Sequence, residues 1–536
     1  MNEIINSANR IESIIYRIIS IVFGIVFALI VFVCTFLNGI EYGRKELLEK
    51  LVSSVPGIAF LLIGSGALFF FSLLFFRNKS RDYTDVTKKH LMIILFISVA
   101  FLAFQITASF SYYFYTDWDA GFLRSVSEIV ARGEVPGEAY DDYFSRYPNN
   151  LTLVNIFSKI IALTSGIGTI PVFSLILFQC FISWVTGLLL FFSVARLFEN
   201  GLVPFFSYIM YIALVGISPW VSIPYSDSVA LLFPMLIFFI YTRRDLNKGT
   251  IVTKWLLIGS VTYLGYTIKP QVIFVTVSLI IVLSVHLIFN KKCGKKNIIK
   301  GVICTAGIII AFFSVNNINN GMDINVDGQK TFGAKHFLMM GLNSEAMGVY
   351  SGEDVAFSGS FKTKEERDRA DMEKVSERIR NMGVAGLSRL MVKKTLTNYN
   401  DGSFCWGGEG SFYYEVLPDQ NAMSPFFKNV YYNRRYEGKY NYAWTFFEQC
   451  VWMGTLTLSI FSVFIKKPGK ETVILLLTLL ILTVFQTLFE ARARYLFIYA
   501  PFYIMLATYG CSNINCFIKQ ISGKRKTDKK TLTIAS

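Results

Sequence analysis

Apolar runs of about 20 residues, separated by short polar stretches, recur along almost the whole chain; a helix of that length covers roughly 30 Å of hydrocarbon. The runs lie at 13–37, 56–76, 91–111, 171–195, 202–218, 226–242, 254–268, 271–290, 299–315, 446–465, 472–489 and 495–512. They predict an all-α polytopic membrane protein of about 12 transmembrane helices, within a range of about 11 to 13. The first run follows polar and charged residues (Asn2, Glu3, Asn6, Arg10, Glu12) with no small-residue cleavage site, so it reads as a retained span. Leu151–Ser165 (LTLVNIFSKIIALTS) is apolar but short and contains Lys159. As a full span it would move Arg243 and Arg244 to the opposite side, so the pattern favours a juxtamembrane helix on the outer surface.

Composition supports the pattern. Of 536 residues, 53% are hydrophobic and 17% charged, with 50 Phe and 28 Tyr. A soluble globular chain carries about a quarter charged residues. The formal charge of +15 sits in the segments between apolar runs. Segments 77–90 (with Arg77, Lys79, Arg81, Lys88 and Lys89), 243–254, 291–300, 466–471 and 513–536 hold 23 Lys and Arg against 5 Asp and Glu. This is the positive-inside pattern of a plasma-membrane protein with both termini cytoplasmic, and it does not point to nucleic acid. The eight Cys show no disulfide framework and no CxxC spacing, and the three His are far apart. Few outer cysteines and no cleaved signal fit a Gram-positive plasma membrane.

Five regions follow. Residues 1–90 form a two-span N-terminal part with a cytoplasmic loop. A transmembrane core at 91–315 includes an outer loop, 112–170, whose stretch to Asn150 holds seven acids against three Arg. An extracytoplasmic loop domain of mixed structure occupies 316–445, the last spans 446–512, and a basic tail 513–536. Within the large loop, Thr363 and Glu366 make a capping box that opens a charged helix running to about Met382 before Gly383. A second helix is expected at about 384–396. Glycines punctuate aromatics in DGSFCWGGEGSFYY (401–414), which suits turns or short strands.

The residues able to do chemistry gather at one side of the predicted membrane. In YTDWDAGF (115–122), Asp119, with Asp117 beside it, is placed to act as a general base on a hydroxyl; both also suit the cap of a following helix. Arg146 and Tyr147 in YFSRYPNNL (143–151) suit phosphate recognition or interfacial anchoring. Asp227 in SIPYSDS (222–228) is a second outer acid or a helix cap. Lys269 in YTIKPQ (266–271), between two apolar runs, requires an anion or a route to the interface. FEARARYLFIYAP (489–501) puts Glu490, Arg492, Arg494 and Tyr495 at the outer end of the last span, where an anionic headgroup or a carboxylate accounts for the arginines. Trp406, Phe412 and Tyr413 suit sugar stacking or an ordinary loop core. Asp117, Asp119 and Asp227 together offer oxygens to a divalent cation. No resident cofactor is otherwise indicated.

In this order, the outer Asp motif, the Pro-initiated segment, the second outer acid, the large late loop and the closing RYL resemble the GT-C superfamily of polytopic glycosyltransferases. Bacterial transferases similar to protein O-mannosyltransferases and the aminoarabinose transferase are the nearest in pattern. The resemblance covers roughly residues 91–510 and makes the first two spans an N-terminal addition. It implies a polyprenyl-phosphate sugar donor, a glycan, lipid or protein acceptor in the cell envelope, and inverting transfer on the outer face. Asp119 matches the catalytic acid of the family's Asp-Glu pair, with Ala120 where the Glu stands. Arg146-Tyr147-Pro148 replaces a His-Pro-Pro-like segment. Arg492 and Arg494-Tyr495 match the terminal Arg-Tyr element that faces donor phosphate. Two other readings remain: an O-antigen-type polysaccharide polymerase, dependent on outer-loop arginines more than on Asp119, and a lipid-linked oligosaccharide flippase or transporter.

Overall fold

The computed structural model describes residues 2–40, 54–76, 87–244, 247–289, 294–410, 412–433, 436, 438–464 and 468–534, apart from the side chains of 2–9, 294–296 and 522–534. The basic stretches 77–86, with Arg77, Lys79 and Arg81, and 290–293 and 465–467 lie outside the described residues.

The chain is an all-α integral membrane protein. Among the described residues nine helices are long and apolar enough to cross a bilayer. They belong to α1 (Asn2–Phe36), α2 (Gly57–Phe76), α3 (Lys88–Tyr112), then, after several shorter elements, to Pro171–Leu197, Lys248–Ile268, Pro270–Phe289, Asn297–Met322, Asn441–Phe464 and Lys470–Leu488. Each coincides with a predicted span. Their outward sides carry large apolar residues such as Phe70, Leu74, Phe96 and Val302, all more than 60% exposed. Side chains of this kind face lipid in a membrane protein, where only the backbone must be satisfied within the helix.

The other three predicted spans depart from the pattern for local reasons. Run 202–218 is an apolar helix of 14 residues, Val203–Gly216, ending in a π-helical turn. Run 226–242 divides into Ser226–Ala230 and Leu232–Tyr241, because Pro234 has no N–H to offer the Ala230 carbonyl. The last begins at Ala500 instead of 495 and continues as Ala500–Ile534. Its first turns are buried throughout, and Phe502, Tyr503, Ile504 and Leu506 form the centre of the bundle.

Helices pack closely where small residues meet. A Cβ on Gly259 would collide with the Cys304 carbonyl, and one on Gly307 with the Leu256 carbonyl, so Lys248–Ile268 and Gly294–Asn319 touch backbone to backbone. Buried amides tie the bundle to the loops at one end. Gln105 donates to the Gly216 carbonyl at 2.7 Å, and Gln179 to Val221 and Ile223 at 2.8 and 2.9 Å.

Leu151–Ser165 is a helix of 15 residues. Asn155 near its start donates to Ile318 at the end of Gly294–Asn319, and Thr164 near its finish to Ser174 at the start of Pro171–Leu197. Both ends therefore stand at the same face of the bundle, and the helix lies along that face without crossing. At the opposite face, Lys519 donates to Phe76 and Asn200 to Phe75.

The segment 320–440 covers the first face. The Thr363–Glu366 capping box is present. At Gly383 (φ 57°) the chain kinks without ending the helix, which resumes and runs to Tyr399, three residues past the expected end. A small cluster of Met339, Leu342, Val375 and Leu390 holds this part together. Strands β1 (Phe114–Thr116) and β2 (Tyr413–Val416) pair antiparallel, with Phe114 opposite Val416 and a register shift between Tyr115 and Thr116.

Candidate functional site

Three segments far apart in sequence meet at the covered face. The first is placed by Gln179, whose side-chain oxygen accepts from the Tyr225 N–H while its amide holds the Val221 and Ile223 carbonyls. This presents Tyr225 and Asp227 at the start of Ser226–Ala230. The second is 489–494. Lys394 Nζ donates to the Phe489 carbonyl at 2.6 Å and to Gly341 at 2.8 Å; the Ala491 N–H donates to Gly348, and Gln486 to the Arg492 carbonyl. The third is 401–410. Asp401 accepts from the Ser403 and Cys405 N–H groups, which holds Phe404 and Cys405 in left-handed conformations (φ 54° and 66°). Such residues cost of order 1–3 kcal/mol each and persist only where surroundings impose them. The turn Trp406–Gly410 that follows carries Glu409 inward.

These segments assemble a chain of charges. Lys269 Nζ pairs with Asp227 Oδ1, and Asp227 Oδ2 lies 3.4 Å from Arg494 Nη1. Arg494 Nε stands 2.7 Å from Glu409 Oε2, at ion-pair distance but not aligned as a hydrogen bond. Glu409 Oε1 pairs with Arg492 Nη1, Arg492 Nε donates to Glu490 Oε1 at 2.7 Å, and Glu490 Oε2 accepts from Tyr495 at 3.0 Å. Lys269 Nζ lies 4.7 Å from the centre of the Tyr495 ring, closing the circuit. Arg494 is also covered by the rings of Trp118 and Tyr225, at 4.7 and 5.2 Å. Lys269, Arg494, Asp227, Glu409 and Glu490 are buried. Burial pushes the Lys269 ammonium down to about 8 against the opposing pull of Asp227. It raises the Glu490 carboxyl, with Arg494 drawing it back.

Asp119 faces this circuit. It occupies the first turn of Asp119–Ala131, whose N-cap is Trp118, so neither it nor Asp117 caps the helix by side chain. Tyr225 Oη donates to Asp119 Oδ2 at 3.3 Å. Burial, reinforced by Asp119, raises the Tyr225 hydroxyl well above its ordinary value, so the phenol stays protonated and donates.

Two adjoining cavities serve the site. One, of about 630 Å³, is lined by Asp119, Tyr147, Arg146, Glu409, Arg492 and Arg494 among others. The second, of about 500 Å³, shares Tyr225, Glu490, Arg494 and Tyr495 and adds Lys269 with Ile268, Phe485 and Phe489 from the ends of spanning helices. One cavity is thus polar and aromatic, and its neighbour opens among the apolar ends of spans.

Most residues singled out from sequence line this region, with five corrections. Asp117 is exposed and lines neither cavity. Trp406 is fully buried against Trp220 and Phe114, and its indole donates to the Tyr431 carbonyl, so it is core and cannot stack on a sugar. Tyr413 is buried against Phe114 and Tyr432 for the same reason. Phe412 alone of the three lines the cavity. Arg146 lines it too, but its guanidinium pairs with Asp142 at 2.8 Å and does not join Arg492 and Arg494. The three-aspartate cation set does not converge, since Asp227 is engaged by Lys269 and Arg494. Among the described residues no group of three or more His, Cys, Asp or Glu is placed to hold a metal ion.

Sequence reasoning passed over Tyr225 and Glu409. Both had a signal: Tyr225 stands two residues before the chosen Asp227, and Glu409 is the sole acid of 402–414.

A family model described as a conserved hypothetical integral membrane protein matches residues 11–514. No curated protein and no solved structure matches the chain.

Proposed function

The chain belongs to that family of integral membrane proteins, and from the geometry of its site we propose that it is a glycosyltransferase, moving a sugar from a polyprenyl-phosphate donor to a glycan, lipid or protein of the cell envelope. The observation that carries this reading is the meeting, across Tyr225, of a carboxylate that lines a cavity (Asp119) with a cluster of cations, two of them buried (Arg494, Lys269) and one half-buried (Arg492). Group transfer from a phosphate needs both parts.

Asp119 takes the proton of the acceptor hydroxyl as its oxygen forms a bond to the anomeric carbon. The bond from that carbon to the phosphate oxygen breaks in the same step, and the electron pair leaves with the polyprenyl phosphate. Arg492, Arg494 and Lys269 stabilise the charge developing there, held in place beforehand by their carboxylate partners. Attack opposite the leaving group inverts the anomeric centre. The cavity beside Ile268, Phe485 and Phe489 has the apolar wall a prenyl chain requires. By the positive-inside rule the cavity face is extracytoplasmic and both termini are cytoplasmic.

The test is transfer from a polyprenyl-phosphate sugar by purified protein carrying Asp119→Asn. Loss of transfer with an unchanged melting temperature supports the base; undiminished turnover removes it. Loss only on replacing the arginines favours the polymerase reading. Cysteines introduced at 119 and 492 should react with an impermeant reagent in intact cells; reaction only after lysis reverses the orientation.

A further inference from the structure

The circuit around Arg492 and Arg494 is already neutral. Lys269, Arg492 and Arg494 supply three positive charges, and Asp227, Glu409 and Glu490 three negative ones. A phosphate entering this buried place would leave an excess of negative charge, which low-dielectric surroundings penalise heavily. Something must yield.

Glu409 is placed to do so. Its two oxygens reach one guanidinium each, Oε1 at Arg492 and Oε2 at Arg494, the way two oxygens of one phosphoryl group would. Its second contact is unaligned. It lies on a turn flanked by Gly407, Gly408 and Gly410, and it borders the 630 Å³ cavity into which its side chain can withdraw. The other two carboxylates each touch only one of the two arginines and have a second partner: Asp227, in the turn Ser226–Ala230, pairs with Arg494 and Lys269, and Glu490 with Arg492 and Tyr495.

We propose that Glu409 occupies the phosphoryl position between Arg492 and Arg494 and is displaced when the donor headgroup binds, so that it gates the site. This rests on the reading of Arg492 and Arg494 as phosphate ligands. An apparent dissociation constant rises by the inverse of the open fraction, so a gate closed in nine molecules of ten weakens binding about tenfold.

The experiment measures farnesyl phosphate binding to the purified full-length protein by titration calorimetry. Glu409→Gln, which keeps the side chain's size, should bind about tenfold more tightly or better. Glu490→Gln removes equal charge from the same circuit and should gain much less. Should Glu409→Gln fold poorly, Glu409→Asp, too short to span both guanidinia, should gain in the same direction. Equal gains from Glu409→Gln and Glu490→Gln would reduce the effect to simple charge and overturn the gate. So would no gain at 409 while Arg494→Gln loses binding, an outcome that leaves the phosphate reading standing. If Arg492→Gln and Arg494→Gln both bind as the wild type does, that reading falls and the gate with it.

Discussion

Tyr225 and Asp119, 106 residues apart, are joined by a hydrogen bond of 3.3 Å from phenol to carboxylate. The bond ties the carboxylate that lines the cavity to the phenol that covers Arg494. Replacing Asp119 by Asn should lower transfer about 10²- to 10⁴-fold, the usual weight of a positioned general base. Tyr225→Phe should cost about 10- to 100-fold, the worth of one hydrogen bond to a charged group. Steady-state rates with melting temperatures alongside check both.

Lys269 gives the reaction an alkaline limit. Its proton is lost near pH 8, lower than for an ordinary lysine because of burial, and the cation is present only below that. Transfer should therefore fall as pH rises through about 8. In Lys269→Arg the limb should move to higher pH, since a guanidinium stays charged. A pH–rate profile of the two proteins decides it.

Asp227 matters for stability as much as for chemistry. Asp227→Ala leaves Lys269 and Arg494 without their shared carboxylate, and breaking a buried pair on one side costs about 3–5 kcal/mol. Denaturation in detergent should show the loss, and Asp227→Asn should recover part of it.

Trp406 and Phe412, six residues apart, should behave oppositely. Trp406→Ala empties a core position and should destabilise by about 3–5 kcal/mol. Phe412→Ala, on the cavity wall, should leave the melting temperature nearly unchanged while raising KM for the acceptor.

Lys394, buried beneath the 489–494 segment, has its ammonium pushed down to about 7. An unfolded lysine titrates near about 10.4, so between those values the unfolded chain holds a proton that the folded one has released. Stability from this residue should rise with pH over that window. The neutral amine keeps two N–H donors for Gly341 and Phe489. The difference in melting temperature between wild type and Lys394→Met should shift toward the wild type from pH 6.5 to 9.

The fold was largely legible because a bilayer imposes one strong rule on sequence, a long apolar run per crossing. Leu151–Ser165 was readable from its short length, its Lys159 and the side to which a full span would move Arg243 and Arg244. The runs at 202–218 and 226–242 were less so, since hydropathy averages over a π-helical turn and over the backbone break that Pro234 causes. In the site, Asp119, Lys269, Arg492 and Arg494 were visible as charges at span ends, where polarity is expensive. Trp406 and Tyr413 misled because an aromatic side chain suits a core and a sugar equally. Glu409 escaped because its importance lies in two arginines more than 80 residues away, a relation no local pattern carries.

The two short strands put Thr116, three residues before Asp119, beside Tyr413, four residues after Glu409. They act as a splint between the loops that bear these two carboxylates. A slip of one residue would turn Phe114 and Tyr413 out of their shared aromatic packing, so the splint has one stable setting. Inserting a residue between Glu409 and Tyr413 would thus throw both loops out of adjustment, whereas lengthening the chain beyond Val416 would leave their spacing intact.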